Sequence, residues 1–440
     1  MQNLTDVLII GGGPAGTTFG HLAVKRGWDV TLLEKDEHPR FHIGESLLPM
    51  NLPIFERLGI LDEVRDIGVP KLGADFTAID SNSDAEFETF FFGKALGESP
   101  DHAFEVRRSE FDQLLFEHCK VAGVKASQNT RVTRVERLQN GNHRVMAVDA
   151  GGEKQVWEAR FLVDASGRDT FMSSSNGWKS RNPRHASAAV FAHYRGVGRR
   201  AGENQGNISL YWFDHGWIWM IPLRDDIMSI GAVCNPDYLK TRNEPLEEFL
   251  LNTLNGIVSI RPRMRDAEAV TPAQATGNYS YLSDRMCGPG FLMIGDAFAF
   301  IDPVFSSGVY LAMNGAERGV DVAQAWFAGS TSAYRRACRT YQRETDKGIA
   351  TFSWFIYRFT SPVMRQLFRD PRNSWQVVSG VISMLAGDVY SNPAVRRRLQ
   401  FFKAIYAMSW LFNCKTVYAE WKARRPEKRA GLGRSDMRSE

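Results

Sequence analysis

Several short stretches carry residues whose types and spacing could do chemistry. In Gly11-Gly12-Gly13-Pro14-Ala15-Gly16 the glycines fall at the spacing that binds a dinucleotide pyrophosphate. Gly11 permits a tight turn, Gly13 lets backbone approach the phosphates, and Gly16 lets the following helix pack close to its strand. Free N–H groups at that helix start, with the helix dipole, favour negative charge. Glu34 stands where an acid would accept hydrogen bonds from an adenosine ribose. Two further acids, Asp164 and Asp296, each follow an apolar run and precede small residues, as in Asp164-Ala-Ser-Gly167 and Gly295-Asp296-Ala297. Ser307 and Gly308 open a helix, so their N–H groups make an anion site. Trp217 and Trp219, two apart, share one face of a strand. Lys71 taken alone reads as a solvated surface charge.

These residues need an α/β frame to hold them. The apolar run Val7–Ile10, the glycine turn, a helical stretch from Thr17 to Arg26 and the run Val30–Leu33 ending at Glu34 read as strand, turn, helix, strand, acid. A helix is expected from about Asn51 to Ile67, and another after Val106-Arg-Arg108, with Ser109 as its N-cap. Strands are expected near 130–138 and 143–149, joined at Asn140-Gly141-Asn142. From about Ala186 to Val233 the pattern turns to long β segments, Asn207–Phe213, Trp217–Leu223 and Ile227–Val233, read as an inserted antiparallel sheet. Past about Thr331 the chain reads as helical and aromatic-rich, a cap packed on the body, with a lid or a membrane-surface helix as the sharper readings.

The expected division assigns residues 1–75, 106–180 and 286–330 to a nucleotide-binding unit. Residues 76–105 and 181–285 form its substrate side, 331–425 a helical cap, and 426–440 a disordered tail. A chain of 440 residues with 43% hydrophobic and 24% charged residues is ordinary for a globular protein. The net charge of +4 gives no argument for nucleic acid. Five scattered cysteines without a CxxC read as reduced thiols of a cytosolic protein, and no clustered His/Cys set points to a metal. No signal peptide is read ahead of the first strand, and no run reaches the roughly 18–20 apolar residues of a membrane span.

Taken together, Gly11–Gly16, Glu34, Val106-x-Arg108-x-x-Phe111-Asp112, Asp164–Gly167 and Gly295-Asp296 resemble the flavoprotein monooxygenase superfamily over roughly the first 330 residues. The resemblance implies FAD. Arg108 would contact its phosphates or adenosine and Asp296 its ribityl or pyrophosphate, with Lys35, Glu45, Ser46, Gly167 and Val309 also around it. Only one glycine fingerprint is present, so no second site for NADPH is expected.

Three stretches narrow the resemblance to the flavin-dependent halogenases. Trp217-Ile-Trp219-Met-Ile221-Pro222 is similar to that family's WxWxIP motif, which is held to separate substrate from flavin. Lys71-Leu-Gly-Ala-Asp-Phe76 is similar to the segment bearing its active-site lysine. Asp302-Pro-Val-Phe-Ser-Ser-Gly308-Val309 is similar to its halide and flavin loop. The resemblance implies that FADH2 and O2 turn chloride or bromide into hypohalous acid. Lys71 would direct it, either as an ammonium that polarises it or as an amine that forms a haloamine. Phe305 stands where halogenases of free tryptophan place a glutamate, matching the branch that acts on phenols and pyrroles, commonly on a carrier protein. A separate flavin reductase is then an implied partner. The alternatives are a flavin hydroxylase of aromatic or polyketide substrates, which needs neither Lys71 nor the paired tryptophans, and a membrane-associated prenyl or polyene reductase.

Overall fold

The computed structural model describes residues 3–77 and 87–412. Two sheets organise it. The first runs in the order Cys287–Gly288, Phe291–Met293, Lys154–Asp164, Asn3–Ile10, Val30–Leu33, Lys125–Ser127, with the Arg131–Arg137 and His143–Val148 hairpin joined to the Lys154–Asp164 strand. Asn3–Ile10 pairs in parallel with both Val30–Leu33 and Lys154–Asp164. Its Val7–Ile10 half is buried, as a strand covered on both faces must be. The Pro14–Val24 helix crosses between the first two strands and packs on the Ser307–Phe327 helix.

Gly11 adopts φ +103°, and a Cβ there would collide with the carbonyl of Ala165; a Cβ on Gly16 would collide with the carbonyl of Gly11. The turn therefore needs glycine at both positions.

The second sheet has nine strands among the described residues, eight running from Ala299–Phe300 through Gln274–Ser283, Lys179–Arg195, Ile227–Cys234, Gly216–Pro222, Ile208–Phe213 and Gly73–Thr77 to Phe87–Phe91, with Glu268–Ala269 paired to Lys179–Arg195 beside them. Both faces are apolar for different reasons. Trp212, Trp217, Trp219, Ile221, Phe191 and Phe76 face the large core shared with the C-terminal helices. Tyr211, Ile218, Met220 and Ile230 face Phe249, Leu250 and Leu254 of the Leu246–Asn255 helix. The expectation of an antiparallel sheet needs one correction, because Ile208–Phe213 pairs in parallel with Gly73–Thr77. These strands come from distant segments, so no tight hairpin dictates their direction.

Two local expectations also change. The stretch after Asn51 forms two helices, Leu52–Leu58 and Leu61–Ile67, because Gly59 at φ +81° ends the first. Arg107, not Ser109, is the N-cap of the Arg108–Val121 helix, which brings Arg108 into its first turn.

In the C-terminal region Phe352, Phe355 and Phe359 are buried in the large core, and Trp212 Nε1 donates to Phe359 O at 3.0 Å. The Thr331–Ile356 helix and the turn after it thus share one core with the second sheet. Farther on, Trp410, Leu411 and Phe412 at the end of the Pro393–Phe412 helix are exposed. No described helix is long and apolar enough to cross a membrane. The expectations for Tyr418, the basic stretch after Lys415 and the 426–440 tail lie outside the described residues.

Candidate active site

A cavity of about 540 Å³ opens between the glycine turn, the second sheet and the start of the Ser307–Phe327 helix. Gly11, Gly13, Pro14, Ala15, Glu34, Lys35, Glu45, Ser46, Arg108 and Gly167 line it together with Trp217, Trp219, Ile221, Asp296, Gly308 and Val309. Residues some 300 positions apart in sequence therefore meet around one space.

At the glycine turn, Glu34 is buried, and its carboxylate accepts from Gly12 N at 2.6 Å and from Asp36 N at 2.9 Å. Arg40 reaches the same carboxylate at 3.3 Å. A Cβ on Gly13 would meet nothing nearer than Arg40 Nη2 at 3.8 Å, so the turn leaves open room beside a cation. Arg40 Nε and Nη1 are buried without a hydrogen-bond partner. Orphaned guanidinium donors beside a free helix start suit a pyrophosphate. Sequence reasoning missed Arg40; a lone arginine in a loop of no clear period carries no signal of its own.

Arg108 is held by a two-point ion pair with Asp112, Nε to Oδ1 at 2.8 Å and Nη2 to Oδ2 at 2.9 Å, and it donates to Ile43 O at 2.8 Å. The i,i+4 spacing on one helix makes that clamp possible. Lys35 pairs with Asp169 at 2.6 Å on the opposite rim. Burial pushes Asp296 up to about 6, with Arg168 and Arg108 opposing the shift. These groups fit FAD in kind: free donors and cations that suit phosphates, and an acceptor that suits hydroxyls.

Asp164 does not line the cavity. It is buried beneath it, accepting from Ser166 N at 3.0 Å and Met172 N at 2.8 Å, and so shapes the loop that carries Gly167. Gly16 likewise acts on the helix packing rather than on the wall.

On the sheet side Trp217 and Trp219 stand with ring centroids 5.9 Å apart. Trp219 Nε1 donates to Ser229 Oγ at 3.2 Å. Pro222 ends that strand and lies off the cavity wall.

At the helix start Ser306 takes φ +56°, turning the chain so that Gly308 and Val309 face the cavity. A Cβ on Gly308 would meet no atom within 4 Å. The Ser307 side chain is buried away from the wall, its hydroxyl unpartnered. Any anion binding at Ser307 must therefore come from its backbone.

Lys71 is 1% exposed, against the surface-charge reading. Its Nζ donates to Ser46 Oγ at 2.8 Å and Leu47 O at 3.0 Å, and it lies 5.4 Å from the Phe92 ring centroid. Burial lowers its pKa, and the nearby Glu105 opposes that shift. Lys71 does not itself line the cavity; Ser46, its hydrogen-bond partner, does. Phe305 is buried against Phe359 at 5.3 Å, which ties the loop before the helix to the C-terminal region.

Comparison with known proteins matches the site to a family. The FAD binding domain model covers residues 4–347. The 1H-pyrrole-2-carbonyl-[peptidyl-carrier protein] chlorinase of Pseudomonas fluorescens is 30% identical over 409 residues, covering 88% of this chain and 90% of that protein. Among solved structures, a flavoprotein/dehydrogenase from Cytophaga hutchinsonii superposes with a TM-score of 0.85 at 27% identity, covering 93% of this chain and 100% of that one. The flavin-dependent brominase Bmp2 superposes with a TM-score of 0.80 at 26% identity, covering 92% and 99%.

Proposed function

Because the chain belongs to the flavin-dependent halogenases, built on the FAD binding domain, we propose that it halogenates an electron-rich pyrrolic or phenolic ring, carried on an acyl or peptidyl carrier protein. The observation that carries this reading is the single cavity shared by the glycine turn, the Trp217–Ile221 face and the Gly308 helix start. The pyrrole specificity of the Pseudomonas relative and the phenylalanine at 305 support the substrate class.

Bound as FADH2, the cofactor supplies the oxidation of halide by O2. The chain's own residues do the rest. Arg108, clamped by Asp112, and Arg40 would hold the phosphates of FAD, and Asp296 would accept from its hydroxyls. The backbone N–H groups of Ser307 and Gly308 offer a halide a site at a helix start. Trp217, Trp219 and Ile221 form a wall that keeps substrate from direct contact with the cofactor. Lys71, buried behind Ser46, receives the oxidant and hands it to one ring carbon. Burial favours its unprotonated form, and a nearly dry site strengthens each polar contact it makes.

With one glycine fingerprint, the reductant comes from a separate NAD(P)H-dependent flavin reductase, and the scattered cysteines without a CxxC suit a reducing, cytoplasmic setting. The test is mass spectrometry of reactions with FAD, a reductase, NADH and chloride or bromide, on pyrrolic and phenolic substrates both free and carrier-bound. Halogenated product on the carrier-bound substrate is expected. Rapid NADPH oxidation by the protein alone, with a hydroxylated product, would overturn the reading.

A further inference from the structure

Lys71 has a buried acidic neighbour that the reaction as described leaves unused. The strands Val69–Lys71 and Ala103–Glu105 pair antiparallel, with Val69 opposite Glu105 and Lys71 opposite Ala103. Alternation then puts Lys71 and Glu105 on one face as diagonal neighbours, within reach of long side chains. Ser46, which accepts from Lys71, is itself bridged to Glu105 through the backbone. Glu105 is fully buried, and the groups that favour its charged form are Lys71 and Ser46. Lys71 Nζ is held from the other side by its bonds to Ser46 Oγ and Leu47 O, which aims it along this face.

We propose that Glu105 is the proton partner of Lys71, a positioning residue that takes the proton Lys71 sheds and returns it between turnovers. The step balances: Lys71–NH3⁺ with Glu105–COO⁻ becomes Lys71–NH2 with Glu105–COOH, one N–H bond breaking as one O–H bond forms. No net charge moves, so the buried site is spared an isolated ion in either state. The inference rests on the role proposed for Lys71 and explains how that nitrogen reaches its reactive form inside the protein.

The surroundings agree. Burial pushes Glu105 up to about 7, the charge of Glu45 adding to the shift and Lys71 and Ser46 opposing it. Glu45 faces His193 Nε2 at 3.1 Å, and the Arg108 cation also acts on Glu45's side of the site. Phe92 closes the face below Lys71. A plain structural ion pair would show the same burial but would leave the pH profile unmoved when its proton-accepting capacity is removed.

The experiment uses the full chain with FAD, comparing wild type, Glu105→Gln, Glu105→Asp and Lys71→Ala. Difference infrared spectroscopy of the protein without substrate should show a protonated carboxyl titrating near neutral pH. That band should vanish in Glu105→Gln and titrate at higher pH in Lys71→Ala, where the opposing cation is gone. Halogenated product should fall at least tenfold in kcat for Glu105→Gln with FAD affinity unchanged and the pH profile altered. Glu105→Asp should recover part of the rate. Product retained by Lys71→Ala would sink the role of the lysine itself. Lys71→Ala inactive while Glu105→Gln keeps wild-type rate and profile would overturn only the present inference. So would the absence of a neutral-range carboxyl in wild type, a result readable even if Glu105→Gln does not fold.

Discussion

Trp219 and Gly231 are register partners across two antiparallel strands, and the Trp219 indole occupies the space that a Cβ on Gly231 would need. The bond from Trp219 Nε1 to Ser229 Oγ fixes the ring there, so its other face is left to the cavity. A glycine on the neighbouring strand thus decides where the wall of the site stands.

Gly231→Ala should push the indole into the cavity. Overpacking of this kind costs about 1–3 kcal/mol. Urea melts should show that loss, and halogenated product should fall while the glycine turn still binds FAD. An unchanged yield would separate the position of Trp219 from the chemistry.

Lys71→Met keeps the volume of the side chain and removes its nitrogen. Halogenated product should drop at least a hundredfold with FAD binding retained, measured by mass spectrometry and by cofactor absorbance. Removing one partner of a buried pair leaves Glu105 uncompensated, at a cost of about 3–5 kcal/mol when that carboxyl is ionised. The penalty should therefore be larger at pH 8 than at pH 5.

Glu105 gives a pH dependence of stability with a definite sign. Its folded pKa is raised from 4.5 to about 7, so the folded state binds more protons between those values. Its contribution is present in full below about 4.5 and is lost as pH rises through about 7. Glu105→Gln removes this dependence. Relative to wild type it should gain stability from pH 5 to pH 8, by at most on the order of 3 kcal/mol. Parallel denaturation curves at the two pH values would contradict the shift.

Gly308→Ala separates fold from ligand. A Cβ there meets no atom within 4 Å, and alanine favours a helix by about 0.5–1 kcal/mol over glycine. The thermal midpoint of the protein without cofactor should hold or rise. Halide dependence of the reaction should weaken at least severalfold, because the methyl enters the cavity beside the helix start. A lowered midpoint would mean that this glycine serves the fold.

Phe359→Ala should cost about 3–5 kcal/mol, as large-to-small core changes do. Phe359 is 2% exposed and stands 4.9 Å from Trp212 and 5.3 Å from Phe305. The loss would appear as one cooperative transition, since the helices and the sheet share this core. A separate early transition would show that the C-terminal helices unfold on their own.

Much of this protein is legible from the chain alone. Gly11, Gly16 and Glu34 announce a nucleotide turn because their demands are local: a positive φ, a close contact and an acid at a strand end. The strands around Trp217 and Ile227 declare themselves as long β-like runs separated by turn residues, and the motif resemblance leads to the flavin-dependent halogenases. Tertiary structure decided what depends on distant segments meeting. It buried Lys71 against Ser46, set Glu105 on the same face and brought Arg40 to the glycine turn; it also drew Asp164 beneath the wall and paired Ile208–Phe213 in parallel with Gly73–Thr77. Local sequence sets a residue's preferred φ and ψ. The charge state of a lysine, by contrast, is set by how much water its neighbours exclude and which carboxylate they leave beside it.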